Sequence, residues 1–204
     1  MAVWLTYWPD FVVGLVFLAG LSMLVVDDWR WLLWYLALVY AGAAALISVA
    51  WPWTLAATVL VGGWMAASVL GLSQQHVAAD DAEGRVSVRV LRLLAGVLAA
   101  LLALAITPPM TLWLPKMSES YLWGSLALMA LGLWQVGLRS NRPLWVVAGL
   151  LTVLAGFNML YAVLEQSLLL AGLMALVVVT LALAGGYLVL QQEAGEDASE
   201  EEQT

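Results

Sequence analysis

The sequence predicts an all-α integral membrane protein with seven transmembrane helices arranged as two parallel three-helix units joined by one extra helix. Of its 204 residues, 64% are hydrophobic and only 10% are charged, and a soluble domain of this length could not keep so many apolar side chains off its surface. The apolar residues form runs of roughly 20, the length that a helix needs to cross the hydrocarbon core. A weak internal repeat predicts the grouping into units.

Acidic residues, prolines and paired tryptophans separate the predicted spans. The spans cover roughly residues 9–26, 31–50, 53–73, 89–106, 121–138, 143–164 and 168–190. The sequence Trp-Pro-Trp at residues 51–53 predicts a tight turn at headgroup level between the second and third spans. Two consecutive prolines predict an irregular external loop from Thr107 to Ser120.

These boundaries divide the chain into four regions. Residues 1–73 form the first three-helix membrane unit, and residues 74–120 contain a polar loop, the connecting helix and the external loop. Residues 121–190 form the second three-helix unit. Residues 191–204 are an acidic tail, which holds six of the fourteen acidic residues and supplies much of the formal charge of −7. We therefore expect a solvated, disordered tail rather than an acidic partner-binding surface.

A shift of 112 places aligns the two units, since residue 20 falls on residue 132. The shift places Gly20-Leu21 on Gly132-Leu133 and Arg30 on Arg142, and a run rich in Trp and Leu follows in both. A three-helix unit ends on the side opposite to its start. One extra crossing between the units lets the second unit start on the same side of the membrane as the first. The two units are therefore predicted to be parallel.

The basic residues predict the orientation of the chain. With seven spans, the loops after spans one, three and five lie on the same side as the C-terminus. Lys116 alone falls on the other side. Six arginines fall on the side of the C-terminus: Arg30, Arg85, Arg89, Arg92, Arg139 and Arg142. Because short basic loops stay cytoplasmic, we expect the N-terminus outside and the C-terminus in the cytoplasm.

The composition also limits the chemistry of the chain. Without cysteine it forms neither disulfides nor thiolate metal sites, and its one histidine cannot form a His-pair site. We therefore predict no catalytic residue, metal or cofactor. The loop at residues 74–88 could still hold a metal or proton site, but it has no paired histidines and favours an exposed connector. Its ionisable residues are His76, Asp80, Asp81, Glu83 and Arg85.

Polar side chains inside the spans are the candidate functional residues. The segment from residue 139 to 165 contains Thr152, Asn158 and Tyr161 in an otherwise apolar run. These side chains either join helices through hydrogen bonds or line a hydrated path, and the first interpretation is favoured. No Asp, Glu, Lys, Arg or His lies near the centre of any predicted span, although a proton relay normally requires such groups.

Tryptophans and small residues predict how the spans sit in the bilayer. Most of the twelve tryptophans, Trp51 and Trp145 among them, lie near span ends and predict aromatic belts. The glycines at residues 62–63, 149, 156 and 185–186 predict close helix contacts. The small residues 41–45, Gly42 among them, predict a face that packs against another subunit.

The segment from residue 132 to 163, GLWQVGLRSNRPLWVVAGLLTVLAGFNMLYAV, resembles subunit K of respiratory NADH-quinone oxidoreductase and the corresponding small three-helix subunit of Mrp-type cation/proton antiporters. These two proteins share a Gly-Leu start, an Arg/Asn turn and a second Gly-Leu that precedes an asparagine. In length and span number, the whole chain is most similar to component E of formate-hydrogenlyase-type membrane hydrogenases. The resemblance covers nearly all of residues 9–190.

The resemblance also indicates which family residues are replaced. A membrane glutamate of subunit K falls on Leu151, and a further glutamate of its last helix falls near Ala184-Gly185. The first of two family asparagines falls on Ala155, whereas the second matches Asn158. Since leucine cannot carry a proton, the resemblance implies a subunit that does not itself conduct ions.

The expected function follows from this resemblance. We expect a non-catalytic scaffold or coupling subunit of a complex-I-like, hydrogenase-like or Mrp-antiporter-like complex that translocates protons or cations. Its expected partners are the lipid bilayer and other integral membrane subunits, including antiporter-like ones, with no nucleic acid. The expected location is the inner membrane of a bacterium or archaeon. The alternative is a self-contained small transporter or channel whose site lies between the two helix units.

Overall fold

The computed structural model describes residues 2–74, 86–114, 118–165 and 167–201, and within them the protein is all-helical. Seven helices follow one another along the chain, and each contains a stretch long and apolar enough to span a membrane. They are α1 (Ala2–Val25), α2 (Trp29–Ala50), α3 (Trp53–Gln74), α4 (Val86–Trp113), α5 (Glu119–Leu138), α6 (Pro143–Leu164) and α7 (Leu168–Glu201). The architecture fits a multi-pass membrane protein.

Local sequence signals account for most helix ends. Asp28 is the N-cap of α2, where its carboxylate accepts a hydrogen bond from the Arg30 backbone N–H, and Ser118 caps α5 in the same way. Proline at the first position of α6 needs no hydrogen-bond partner there. Between α2 and α3 the chain turns within residues 51–52, as the Trp-Pro-Trp sequence predicts.

Helix α4 is longer than the sequence predicts. The expected loop begins at Thr107, but α4 includes both prolines and ends at Trp113. Thr107 Oγ1 donates to the Ala103 carbonyl at 2.8 Å, which supplies a donor to the preceding turn. Proline is tolerated inside membrane helices and is more frequent there than in soluble ones. The connection between α4 and α5 is therefore shorter than predicted, and its residues 115–117 lie outside the described residues.

The two other segments predicted to be polar and irregular are the loop after α3 and the C-terminal tail. The ionisable residues of the loop at residues 74–88 lie at positions 75–85, outside the described part of the chain, so their interpretation as a connector or a metal site stays a prediction. At the other end, α7 continues as helix through residue 201, although the sequence predicts disorder from residue 191. Glutamate, alanine and glutamine there are good helix formers, which accounts for the continuation.

The seven helices pack on their neighbours in the chain and also form three pairs that are distant in sequence. Helix α1 contacts α5, α2 contacts α6, and α3 contacts α7, while α5 and α6 share the most extensive interface. Helix α4 packs on α5 and α1 at one side of the bundle. The partners in each distant pair are the helices that the predicted repeat aligns. Helix α6 contacts α2, α3, α5 and α7, which places it in the interior.

Glycine permits the close approach of α5 and α6. A Cβ added to Gly132 would lie 2.5 Å from the Gly149 carbonyl oxygen, and one added to Gly149 would lie 2.8 Å from the Gly132 oxygen. Small residues therefore bring the two backbones together, as predicted for Gly149. The prediction for Gly42 is wrong, because its missing side chain leaves room for Val16 of α1. Gly42 packs inside the bundle and is not available to another subunit.

The aromatic-belt interpretation holds for some tryptophans and fails for two. Trp31, Trp53 and Trp113 are exposed near helix ends, as a belt requires. Trp51 and Trp145 are instead buried within the bundle. Trp145 is drawn inward because its ring packs against the buried guanidinium of Arg139, so its position near a span end does not place it in the lipid interface.

Candidate functional site

The three predicted site residues of α6 occupy different environments. Thr152 is buried, and its hydroxyl donates to the Ala148 carbonyl at 2.8 Å, a bond within its own helix. Tyr161 lies near the end of α6, where its hydroxyl donates to Glu165 at 2.6 Å. Asn158 is buried, yet its side chain has no hydrogen-bond partner among the described residues. Among the described residues, no hydrogen bond joins these three side chains to one another.

Two of the three α6 positions at which the sequence resemblance predicts ionisable or amide residues are apolar. Leu151 and Ala155 are both completely buried. The backbone carbonyl of Leu151 accepts a hydrogen bond of 2.9 Å from the Tyr40 hydroxyl of α2. This bond joins α2 to α6. Nothing at this position can exchange a proton at ordinary pH.

Other buried polar groups are also satisfied by backbone. The Tyr121 hydroxyl of α5 donates to the Met159 carbonyl of α6 at 2.8 Å. Ser125 donates to the Leu122 carbonyl within α5. The Tyr121 bond joins α5 to α6, whereas the Ser125 bond lies within one helix, and both hydroxyls donate to backbone carbonyls rather than to other exchangeable groups.

The most concentrated polar chemistry lies at one end of the bundle, where α1 ends, α4 begins and α5 ends. There a single carboxylate, Asp27, contacts three arginines: Arg89 and Arg92 from the first turns of α4, and Arg139 just after α5. We name these four residues the Asp27 cluster. It joins the ends of three helices, and its arginines lie 62 to 112 residues from Asp27 in the chain.

Both carboxylate oxygens of Asp27 are used. Oδ1 accepts from Arg92 Nη1 at 2.5 Å and from Arg139 Nη2 at 2.7 Å, and Oδ2 accepts from Arg89 Nε at 3.2 Å. The Asp27 side chain is only 14% exposed, whereas that of Arg89 is 51% exposed. The bond to Arg89 therefore contributes least, since solvent screens it most.

Arg139 is the buried anchor of the cluster, with a side chain only 6% exposed. Its Nη2 also donates to the Val26 carbonyl at 2.9 Å, at the end of α1. Its Cζ lies 3.6 Å from the centre of the Trp145 ring, a cation–π contact. The Gln135 side chain donates to the Trp145 carbonyl, and this bond joins the end of α5 to the start of α6. The Arg139 Nε is buried without a partner in the described structure, which costs free energy.

The surroundings shift the pKa values of both central groups. Burial on its own would raise the pKa of Asp27, but the hydrogen bond from Arg92 and the charges of Arg139 and Arg92 outweigh it, so this pKa lies below its ordinary value of 3.8. Burial and the neighbouring charge of Arg92 lower the pKa of Arg139 to about 10, against the opposing effect of Asp27. Both groups are therefore ionised at neutral pH.

These charges determine what the cluster can do chemically. Three guanidinium groups and one carboxylate leave a net charge of +2 on the cluster. Neither Asp27 nor Arg139 changes protonation near neutral pH, so this ion pair does not relay protons. Among the described residues, no group of three His, Cys, Asp or Glu side chains could hold a metal ion. The arrangement is suited to structural cross-linking and to holding an anion.

The sequence places the members of the cluster on one side of the membrane but does not group them. In the sequence, Asp27 marks the end of a span and the arginines indicate orientation. The sequence does contain a signal for an ion-pair cluster, because Asp27-Asp28 is an acidic pair on the side of the membrane that carries six arginines. Pairing Asp27 with particular arginines requires the lateral order of the helices, which hydropathy does not provide.

Comparison with known proteins gives no match: no family model, no curated protein and no solved structure is significantly similar to this chain.

Proposed function

We propose that this chain is a non-catalytic membrane subunit, a scaffold or coupling element, of a larger complex that translocates protons or cations. The complex would be of the complex-I-like, hydrogenase-like or Mrp-antiporter-like kind that the sequence resembles. In this proposal the seven helices form two parallel three-helix units, α1–α3 and α5–α7, joined by α4. The partners are other integral membrane subunits, antiporter-like ones among them.

The observation that carries the proposal is the closed interior at α6. Leu151, at the place of the carboxylate in the resembling subunit, is completely buried, and its carbonyl is occupied by Tyr40. An ion path needs water or titratable groups at this depth. In the described interior, the Tyr40 and Tyr121 hydroxyls instead join α2 and α5 to α6. These features support a structural role beside ion-conducting subunits.

We further propose that the protein lies in the inner membrane of a bacterium or archaeon, with the N-terminus outside. The support is the position of the described arginines. The Asp27 cluster contains three of them, and Arg30 and Arg142 lie at the starts of α2 and α6, at the same end of the bundle. A basic end that faces the cytoplasm agrees with the distribution of charge in membrane proteins.

Purification from native membranes tests the proposal. The full chain, carrying an affinity tag and extracted in a mild detergent, should retain a fixed set of large integral membrane subunits, which mass spectrometry would identify. Extraction in a harsher detergent, which separates subunits, serves as the control for specific association. A chain that elutes alone from the mild extraction and transports a solute would favour the self-contained transporter and would contradict the proposal.

A further inference from the structure

Helix α4 presents two of the cluster arginines at the edge of the bundle. Arg89 and Arg92 lie in its first turns, and each uses one nitrogen to contact Asp27. A guanidinium carries five N–H donors. In the described residues, the other N–H groups of these two side chains meet no acceptor of this protein. The outer side of the Asp27 cluster therefore has both positive charge and unused donors.

An exposed apolar stripe continues from Arg89 along α4. Residues four apart lie above one another on a helix, and Leu93, Val97 and Leu101 follow Arg89 at that spacing. All three are exposed, as are their neighbours Leu94 and Leu98. The stripe runs from the charged end toward the middle of the span. A ligand that fits this surface has an anionic head and a hydrocarbon tail.

We propose that this surface binds an anionic phospholipid. The phosphate would accept hydrogen bonds from Arg89 and Arg92, and an acyl chain would lie along Leu93, Val97 and Leu101. The charge of the cluster argues for this occupant, because one carboxylate leaves the three arginines with a net charge of +2. Basic sites between membrane helices attract lipid phosphates in this way. The proposal does not depend on which complex the chain belongs to.

Native mass spectrometry of the purified full chain tests the proposal. The protein would be equilibrated with equal amounts of phosphatidylglycerol and phosphatidylcholine in detergent, and retained lipid would be counted. Wild type should retain phosphatidylglycerol selectively. Arg89→Gln should lower that retention about five-fold, as expected for one charge at a membrane surface. Arg89 is half exposed, so the variant is expected to fold.

Arg30→Gln is the matched control. Arg30 is an exposed arginine at the same end of the bundle, but it stacks on Trp29 and makes no contact with Asp27 among the described residues. Its loss should leave retention unchanged. Equal retention of the two lipids, or equal effects of both variants, would overturn the proposal. So would full displacement of phosphatidylglycerol by millimolar inorganic phosphate, because the site would then bind a free anion rather than a lipid.

Discussion

Asp27 balances arginines from two other parts of the chain, and this gives a test at the level of a single residue. Asp27→Asn keeps the shape of the side chain but leaves three guanidinium groups without a negative charge. We expect the free energy of unfolding in mixed micelles to fall by about 2 kcal/mol at neutral pH. Asp28→Asn is the control, since asparagine caps a helix as well as aspartate does. Equal stability of the Asp27 variant and wild type would contradict the account of the cluster.

The difference in stability between wild type and Asp27→Asn should depend on pH, because the pKa of Asp27 is lowered in the folded protein. A carboxylate whose folded pKa is depressed stabilises the protein above its unfolded pKa, and this contribution is lost as the pH falls through the folded value. The advantage of wild type over Asp27→Asn, measured as the difference in unfolding free energy, should therefore be constant from neutral pH to about pH 5. This difference should shrink as the pH falls below 3.8, the ordinary pKa of an aspartate side chain.

At the level of helices, the contact between α5 and α6 depends on the absence of a side chain at Gly132. Gly132→Ala places a Cβ against the Gly149 backbone, and we expect it to cost at least about 2 kcal/mol of stability. Gly137 is the control on the same helix, because a Cβ there meets nothing within 4 Å. Gly137→Ala should be neutral or slightly stabilising. The midpoint of thermal unfolding should therefore fall for Gly132→Ala, whereas for Gly137→Ala it should stay unchanged or rise slightly.

Hydropathy predicted the helices well because span length is a local property of the sequence. The errors arose where tertiary contacts overrode a local signal. Proline at residues 108–109 predicted a loop, but α4 includes both prolines and continues to Trp113. Trp145 matched the aromatic belt, but a buried arginine holds its ring inside. The Asp27 cluster could not be assembled from the sequence, since its members come from three helices whose neighbours are decided by packing.

For the whole molecule, the proposed orientation can be tested by cysteine labelling. The chain has no native cysteine, so single substitutions give unambiguous signals. A cysteine at Glu119, an exposed residue at the start of α5, should react with an impermeant thiol reagent in intact cells. A cysteine at Ser140, exposed in the turn after α5, should react only after the cells are opened. The reverse pattern would show that the arginine end faces outward.

The central claim is that ions do not pass through this protein, and flux through the purified chain tests it most directly. The protein would be reconstituted into liposomes that contain a pH-sensitive dye, and a potassium diffusion potential would drive proton entry. We predict the same proton and sodium leak as in protein-free liposomes, because Leu151 and its neighbours close the interior of the bundle. A potential-driven flux that disappears in Asn158→Leu would contradict the claim and would identify the buried amide as part of a conducting path.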